Sequence, residues 1–268
     1  MTRIVVTGAS GRMGAAILRL ALTDPDLTIT GALEFKGHPM VGKAIGSIIG
    51  DTSEAGALKI TDSFEALIDQ SDVVVDFTAP AATAEYFRLT SACGKGIVIG
   101  TTGLTQEAIA EMKNTSMARA VVSPNMSIGV NLLFNLVERA SRALGPEYDS
   151  EIVEMHHRLK KDAPSGTAIR LRQAIEAGRP QTHWSEVTGR QGLWGERRPE
   201  EIGVLAVRAG DIVGEHTVFF AGPGERIELT HRATSREIFA RGALLAAKWL
   251  MQQTAPGIYD MKDVLSLA

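Results

Sequence analysis

The chain has 268 residues, of which 44% are apolar and 22% charged, a composition typical of a globular protein long enough for two domains. A net charge of −3 argues against nucleic-acid binding, and no apolar run reaches the roughly 18 residues that a membrane span needs. Cys93 is the single cysteine, which excludes an internal disulfide and a thiolate zinc site. A strand pattern that starts at Arg3 leaves no space for a signal peptide. We therefore expect a cytoplasmic protein.

The first 127 residues alternate short apolar strands with helical patterns. Such strands, separated by helices, indicate βαβ units and a parallel sheet that is covered on both faces. The predicted fold class is therefore α/β, with a Rossmann-type doubly wound parallel sheet in residues 1–127. The predicted strands are 3–7, 27–33, 73–77, 96–99 and 120–123, and the predicted helices run to residue 21 and lie near 63–68, 81–93 and 105–113.

The pattern changes after Asn125. Apolar and polar residues alternate in 226–231, which indicates a strand with one covered face. We predict a second, α+β domain with a mixed or antiparallel sheet over 128–235, and a C-terminal helix, 236–268, that completes the first domain. The helical pattern itself runs over 236–252. The predicted elements of the second domain are helices at 128–144 and 166–177, strands at 151–156, 202–208, 211–213, 217–221 and 226–231, and an exposed loop at 178–201.

Three glycines, Gly8, Gly11 and Gly14, lie between the first strand and the first helix. A dinucleotide pyrophosphate needs backbone N–H groups at a helix N-terminus and no Cβ in the way. Glycines at such turns also serve packing alone, so the loop by itself leaves both interpretations open. Glu34 lies 20 residues after Gly14, at the end of the second strand, where an acid accepts hydrogen bonds from ribose hydroxyls.

The cofactor is expected to be NADH, NADPH or both. A carboxylate at position 34 repels a 2′-phosphate, and Phe35 follows it where an arginine would favour NADPH. Lys36 could still offer a partner to a phosphate. We therefore predict that NADH is preferred to NADPH or used equally well.

Two further segments follow predicted strands at the sheet edge where ligands bind in such folds. The run Gly100-Thr101-Thr102-Gly103 suits contact with the nicotinamide ribose or carboxamide, although Thr101 or Thr105 would also serve as a plain helix cap. The run Ser123-Pro124-Asn125-Met126 is in position to complete a nicotinamide pocket.

Residues 154–168 read E-M-H-H-R-L-K-K-D-A-P-S-G-T-A, a set suited to a small, doubly negative molecule. His156 and His157 are neighbours on a strand and point to opposite faces, so we predict no metal site. The run 164–167 predicts a helix start whose N–H groups favour a carboxylate or are simply capped. Asp162 is expected to orient Lys160 or the turn rather than to react.

The pattern H-H-x-x-K-x-D-A-P-S-G-T over 156–167 resembles the signature of the 4-hydroxy-tetrahydrodipicolinate (dihydrodipicolinate) reductase family. The glycine loop at 8–14, G-T-T-G at 100–103 and N-x-S-x-G-V-N at 125–131 also match that family, in the same order. The resemblance covers the whole chain. Phe35 is a departure, because some members carry arginine there.

The resemblance implies an NAD(P)H-dependent enzyme that reduces 4-hydroxy-tetrahydrodipicolinate, a cyclic dicarboxylate, to tetrahydrodipicolinate in lysine and diaminopimelate biosynthesis. It implies that His156 and Lys160 are catalytic and transfer protons, and that the enzyme is a homotetramer formed through the sheets of the second domain. It also implies that the substrate-binding residues are His157, Gly166 and Thr167, and that the cofactor-binding residues are Gly8, Ala9, Ser10, Gly11, Arg12, Met13, Glu34, Gly100, Thr101, Thr102, Ser123, Pro124, Asn125 and Met126.

Two alternative functions remain open from the residues themselves. Another two-domain NAD(P)-dependent dehydrogenase acting on a small carboxylate would require a catalytic cysteine or a different lysine setting, and Cys93 falls in a predicted helix with no base beside it. A non-catalytic dinucleotide sensor would not need His156 and Lys160.

The remaining polar residues are expected to be structural or solvated. Arg236 either approaches a ligand or lies on the surface at a helix start, and 197–201 is predicted to be a solvated loop. The histidines expected to be solvated or in the core are His38, His183, His216 and His231.

Overall fold

The computed structural model describes residues 1–115 and 117–267; Ser116 and Ala268, which the predicted ranges 1–127 and 236–268 include, lie outside the described residues. A short 3-10 turn at Ala55–Ala57 interrupts the regular elements. These are β1 (Thr2–Thr7), α1 (Arg12–Leu22), β2 (Leu27–Leu33), α2 (Gly46–Ile49), α3 (Glu65–Ile68), β3 (Val73–Asp76), α4 (Pro80–Ala92), β4 (Gly96–Ile99), α5 (Gln106–Lys113), β5 (Arg119–Val122), α6 (Ile128–Leu144), β6 (Asp149–His156), α7 (Gly166–Gly178), β7 (Ser185–Val187), β8 (Glu201–Arg208), β9 (Gly214–Gly222), β10 (Glu225–Ala233), α8 (Glu237–Leu250), β11 (Gly257–Tyr259) and α9 (Met261–Val264).

The first compact unit comprises Met1–Ile128 and Glu237–Ala268. Its sheet has the order β11-β5-β4-β3-β1-β2, and all five strand pairs are parallel. Alternate residues of β1 enter two different cores: Ile4 and Val6 pack with residues of α1 and α8, whereas Val5 packs with residues of α3 and α4. Helices therefore cover both faces of a parallel sheet, which confirms the predicted α/β class.

The second unit, Gly129–Arg236, contains a mixed sheet of order β10-β9-β6-β8-β7. Strand β6 lies at its centre, parallel to β8 and antiparallel to β9, so the predicted mixed sheet is confirmed. Every second residue of β6 is buried, and Ile152 packs against apolar residues of α6 and α7. The same buried row continues into Glu154 and His156, which places two ionisable side chains on the covered face.

The strand predicted at 211–213 is wrong. These residues form a turn and an irregular segment, because β8 and β9 lie on either side of β6 and the chain must pass the end of β6 between them. Ala209 N–H donates to the His156 carbonyl at 2.9 Å, and Gly210 accepts from Arg158 N–H at 3.2 Å. This connection holds the chain after β8 beside His156.

The predicted loop 178–201 is also partly wrong, since it contains β7 and the first residue of β8. Arg197 within it is not solvated: only 19% of its side chain is exposed. Its guanidinium donates to Asp149 Oδ1 at 2.6 Å and to Glu151 Oε1 at 3.0 Å. The segment is therefore tied to β6 by ion pairs that the composition does not reveal.

Helix α8 confirms the helical pattern at 236–252, but the extension of one helix to residue 268 is wrong. Helix α8 ends at Leu250, and Pro256, which disfavours helix, lies in the segment that follows it. Gly257 instead begins β11, which pairs with β5 and becomes an edge strand of the parallel sheet. Within the described residues, no helix is both long and apolar enough to cross a bilayer.

Candidate functional sites in the two units

The turn after β1 offers backbone N–H groups at the start of α1. Gly11 is the N-cap and makes no side-chain cap, and the first turn carries no acidic residue. Gly8 has a φ of +60°, which glycine adopts readily. A Cβ at Gly14 would lie 2.2 Å from the Gly8 carbonyl oxygen, so only glycine allows the helix to start this close to the strand. The turn fits a pyrophosphate, because its first amides lack a capping side chain and no Cβ shields them.

Glu34 follows β2 and lies over this glycine turn, with 6% of its surface exposed. Its Oε1 accepts hydrogen bonds from the backbone N–H of Ser10 at 2.8 Å and from the Ser10 hydroxyl at 2.6 Å. His38, expected to be solvated or in the core, places Nε2 3.5 Å from Ser10 Oγ and accepts from Met40 N–H at Nδ1. Glu34, predicted to bind the ribose, is thus hydrogen-bonded to the glycine turn that is predicted to bind the pyrophosphate.

Asp76 is a buried carboxylate at the end of β3 that the sequence interpretation missed. It accepts hydrogen bonds from Thr7 at 2.6 Å, from Thr78 at 2.7 Å and from Thr101 at 3.1 Å. Its partners lie at or just beyond the carboxyl ends of three neighbouring strands, so Asp76 fixes the edge of the sheet. The Thr101 hydroxyl is therefore directed inward, and Thr105, not Thr101, caps α5. The sequence signal that could have identified Asp76 is its position as a single acid directly after the apolar run 73–75.

The segment Ser123–Met126 after β5 is held by its own polar groups. The Ser123 hydroxyl donates to the Asn125 carbonyl at 2.8 Å, and Asn125 Oδ1 accepts from Ser127 N–H at 2.9 Å. Met126 is 1% exposed and belongs to the core, so its side chain faces away from solvent. A Cβ at Gly242 of α8 would lie 1.7 Å from the Met126 carbonyl oxygen, which shows how closely α8 abuts this segment.

In the second unit, Glu154 is fully buried and receives donors from three directions. Arg208 donates to both carboxylate oxygens at 2.8 Å, as a fork. His156 Nδ1 lies 2.6 Å from Oε2, and Ser165 N–H donates to Oε1 at 3.0 Å. Arg208 was not singled out from the sequence, because it lies 54 residues from Glu154 and meets it only through the β6–β8 pairing.

The burial of His156 favours its neutral form. Burial lowers the pKa of His156, and the nearby Glu154 carboxylate, which raises it, does not offset the effect. Burial alone would raise the pKa of Glu154, but the hydrogen bonds from Arg208 and His156 bring it below its usual value. The cluster thus holds an ionised carboxylate, a guanidinium and a neutral imidazole at neutral pH.

His216 lies beside this cluster, 4% exposed, with its ring edge-on to His156 at a centroid distance of 5.1 Å. Its Nε2 is 3.0 Å from Ser165 Oγ, and its Nδ1 is buried without a hydrogen-bond partner among the described residues. Burial, reinforced by repulsion from His156, lowers the pKa of His216 to about 3. His216 therefore remains neutral in the fold.

We expect His216 to make the protein less stable as the pH falls. The unfolded chain binds a proton at this histidine near pH 6.5 and the folded chain does not, so stability is lost below that pH. Between pH 7 and 5.5 the loss amounts to about 1.2 kcal/mol in the free energy of unfolding. Urea unfolding of the parent and of His216→Gln should show that the variant lacks this part of the pH dependence. Identical slopes for both proteins between pH 7 and 5.5 would contradict the assignment.

The loop after β6 carries the remaining predicted substrate residues. Lys160 Nζ contacts both carboxylate oxygens of Asp162, at 3.0 and 2.9 Å, as expected from the sequence. His157 Nε2 lies 3.1 Å from Arg236 Nη2, so Arg236 has a specific partner rather than a free surface position. An arginine only donates, so His157 accepts at Nε2 and carries its proton on Nδ1.

Helix α7 begins directly after this loop. The Ser165 hydroxyl accepts from Ala168 N–H at 3.1 Å and so caps the helix. Gly166 is exposed and Thr167 half-buried at the first turn, where the helix dipole favours an anion. In the part of the chain that the structure describes, no cluster of three or more histidine, cysteine or carboxylate residues could hold a metal ion.

The predicted residues thus fall into two sets, one in each unit. The predicted cofactor residues lie after β1, β2, β4 and β5, at the carboxyl edge of the parallel sheet of the first unit. The predicted substrate and catalytic residues lie together at the end of β6 and the start of α7 in the second unit. Cys93, which an alternative dehydrogenase chemistry would need, is exposed at the end of α4 and belongs to neither set.

Comparison with known proteins connects both units to one family. The family models described as "Dihydrodipicolinate reductase, N-terminus" and "Dihydrodipicolinate reductase, C-terminus" match residues 2–126 and 129–265. A 4-hydroxy-tetrahydrodipicolinate reductase of Anaeromyxobacter dehalogenans is 50% identical over 100% of this chain and 98% of its own. That of Syntrophobacter fumaroxidans is 48% identical, with 100% of each chain covered. The dipicolinate-bound dihydrodipicolinate reductase of Paenisporosarcina sp. TG-14 has a TM-score of 0.80 and 25% identity, covering 98% of this chain and 99% of its own.

Proposed function

The chain belongs to the dihydrodipicolinate reductase family and is an oxidoreductase, and from this premise we propose that it reduces 4-hydroxy-tetrahydrodipicolinate to tetrahydrodipicolinate with NADH or NADPH, in lysine and diaminopimelate biosynthesis. The observation that carries the proposal is the cluster at the end of β6. It combines a neutral imidazole, a lysine held by a carboxylate and an uncrowded helix start within 12 residues, from His156 to Thr167. A cyclic dicarboxylate that must be protonated as it is reduced needs this combination.

His156 and Lys160 are the proposed catalytic residues. The substrate loses its 4-hydroxyl group as water to give a conjugated imine ring, and a bound nicotinamide cofactor would supply the hydride that reduces this ring. Negative charge then develops along the ring, and a cationic donor beside it lowers the barrier. Lys160 is this cationic donor and supplies the proton. Its contact with Asp162 fixes the direction of Nζ. His156 accepts or donates a proton at the same ring.

The two carboxylates of the substrate need two separate binding positions. We assign one carboxylate to the start of α7, where Gly166 and Thr167 offer backbone groups at the positive end of the helix. The second belongs to the side formed by His157 and Lys160. Arg236 contributes indirectly, since its contact with His157 Nε2 fixes the orientation of that imidazole.

The two units receive separate roles in this proposal. Residues 1–127, completed by the C-terminal segment, form the cofactor-binding domain, and residues 128–235 form the substrate-binding and oligomerisation domain. The proposed cofactor contacts are those predicted from the sequence: 8–13, Glu34, 100–102 and 123–126. Met126 and Thr101 would contribute through their main chains, because their side chains are buried in the core and on Asp76.

The proposed reaction is tested by an assay in which dihydrodipicolinate synthase makes the substrate from pyruvate and aspartate semialdehyde. Loss of NADH or NADPH is followed by absorbance at 340 nm after this protein is added. We expect oxidation that depends on the protein and on the synthase. Absence of oxidation with both cofactors would overturn the proposed function.

Glu34 should discriminate between the two cofactors. We expect Glu34→Ala to weaken NADH binding roughly tenfold more than NADPH binding, since a charged acceptor for the ribose hydroxyls contributes about 1.5 kcal/mol and repels a 2′-phosphate. Titration calorimetry with each cofactor measures the two Kd values. Glu34→Gln is the matched variant, because its amide oxygen can still accept from Ser10 while the charge is removed. An unchanged NADH to NADPH ratio in both variants would contradict the ribose role.

A homotetramer in the cytoplasm is the remaining part of the proposal. The resemblance implies assembly through the second unit, and β10 supports it as a nine-residue edge strand with Ile227 39% exposed. Val207 of β8 is also 40% exposed. The single, exposed Cys93 and the use of a nicotinamide cofactor support a reducing compartment.

A further inference from the structure

The proton between Glu154 and His156 has a defined position. Glu154 Oε2 lies 2.6 Å from His156 Nδ1 and 2.8 Å from Arg208 Nη1. An ionised carboxylate only accepts hydrogen bonds, so the proton of this pair is on Nδ1. In the neutral ring, the lone pair is then on Nε2, which is the nitrogen directed away from Glu154. Fixing one ring nitrogen by a carboxylate in this way sets the chemistry of the other.

Arg208 changes what the carboxylate does to the ring. A lone buried carboxylate would favour an imidazolium beside it. Arg208 binds both oxygens of Glu154, and Ser165 N–H adds a further donor to Oε1, so the negative charge is largely compensated. Glu154 can therefore orient the ring without charging it. The edge-on ring of His216 further limits rotation of His156.

Gly214, at the start of β9, lies against the His156 ring on the side of Nε2. A Cβ at this position would lie 3.0 Å from His156 Nε2 and 3.3 Å from its Cδ2. The backbone of Gly214 does not have a positive φ, so alanine would not strain the chain there. A methyl group at residue 214 would thus press on the His156 ring beside Nε2.

We propose that Glu154, held by Arg208, is a positioning residue that keeps the His156 proton on Nδ1 and the lone pair on Nε2, and that Gly214 keeps Nε2 accessible to the reacting molecule. This inference rests on the proposed catalytic role of His156. It assigns to three residues outside the sequence-predicted site a function in the proton transfer of that site.

The test combines the tautomer of His156 with the kinetics of Glu154→Gln. Nitrogen-15 NMR of histidine-labelled protein reports which ring nitrogen carries the proton, and the His156 signals are identified by their loss in His156→Gln. We expect the Nδ1–H tautomer in the parent at pH 7.5, and a shift toward Nε2–H in Glu154→Gln, whose amide can present a donor to Nδ1. The expected loss in kcat is about 10²–10⁴-fold, as when the orienting acid of a catalytic histidine is neutralised.

Glu151→Gln is the matched control, because it makes the same change on the same strand but on the opposite face, where Glu151 binds Arg190 and Arg197. It should leave the tautomer unchanged and kcat within about twofold. Gly214→Ala should keep the Nδ1–H tautomer but lower kcat about tenfold, with little change in KM, since it obstructs the base rather than the binding of carboxylates.

Several outcomes overturn the proposal. The first is an Nε2–H tautomer of His156 in the parent protein, a measurement that does not depend on the folding of any variant. The second is a tautomer shift in Glu154→Gln without loss of kcat, and the third is a loss of kcat in Glu154→Gln without a tautomer shift. The NMR measurement is made on the free protein, so it remains decisive for the position of the proton even where the reductase assay shows no oxidation. Failure of the proposed function and failure of the positioning role are thereby distinguished.

Discussion

Replacement of Lys160 by alanine should lower kcat by about 10²–10⁴-fold while Kd for NADH changes less than about twofold. Lys160 Nζ lies within 3.0 Å of both oxygens of Asp162, and 20% of its side chain is exposed, so the cation is fixed in direction but still reachable. The proposed cofactor residues lie in the other unit, which is the reason to expect intact NADH binding. The measurements are steady-state kinetics with synthase-generated substrate and calorimetric titration of NADH.

Lys161→Ala provides a direct comparison for this prediction. Lys161 is the next residue, carries the same charge and is exposed. Its replacement should change kcat by less than about twofold, because a solvated charge contributes little at a distance. An unchanged kcat in Lys160→Ala, or an equal loss in both variants, would remove Lys160 from the role of proton donor.

The fold class was predictable because hydrophobic patterns report burial directly. The uniformly apolar run 73–75 indicated a strand covered on both faces, and β3 is buried throughout. Local patterns failed where a segment's backbone partners lie far away in the sequence. The segment 211–213 has the apolar and β-branched residues of a strand, but it belongs to the connection that takes the chain from β8 to β9, which lie on either side of β6. The short strand β11 exists only because β5 offers it an edge.

The same limit applies to the candidate sites. Lys160, Asp162 and the start of α7 were found because they are close in sequence and their spacing carries the chemistry. Arg208 was missed because its role depends on the register of β6 with β8, in which His156 is opposite Arg208. Neighbouring parallel strands bring side chains of the same face together, and a single sequence does not state which strands are neighbours. Asp76 was missed for the same reason, since its threonine partners come from separate strand ends.

Replacement of Arg208 by methionine should lower the free energy of unfolding by about 3 kcal/mol at pH 7.5. Removing one partner of a buried ion pair leaves an uncompensated charge, which costs about 3–5 kcal/mol, and the low end applies because 21% of the Arg208 side chain is exposed. Glu154 is fully buried, so water cannot replace the lost donors. Urea unfolding followed by circular dichroism measures the change.

The double variant Glu154→Gln/Arg208→Met separates the charge from the packing. Removing both partners eliminates the uncompensated carboxylate, so most of the lost stability should return. Additive losses would instead show that Arg208 acts through its other contacts, such as the Asp162 carbonyl at 2.7 Å.

The stability contributions of Glu154 in the parent and in Arg208→Met also have opposite pH dependence. In the parent, the lowered pKa of Glu154 means that its contribution is present at neutral pH and is lost as the pH falls. Without Arg208, burial raises that pKa, so stability is lost as the pH rises, and the gap between parent and Arg208→Met should narrow from pH 7.5 to pH 5. Recovery of stability in the double variant without recovery of kcat would separate the two roles of this pair, because the fold needs only a compensated charge, whereas His156 needs the carboxylate itself.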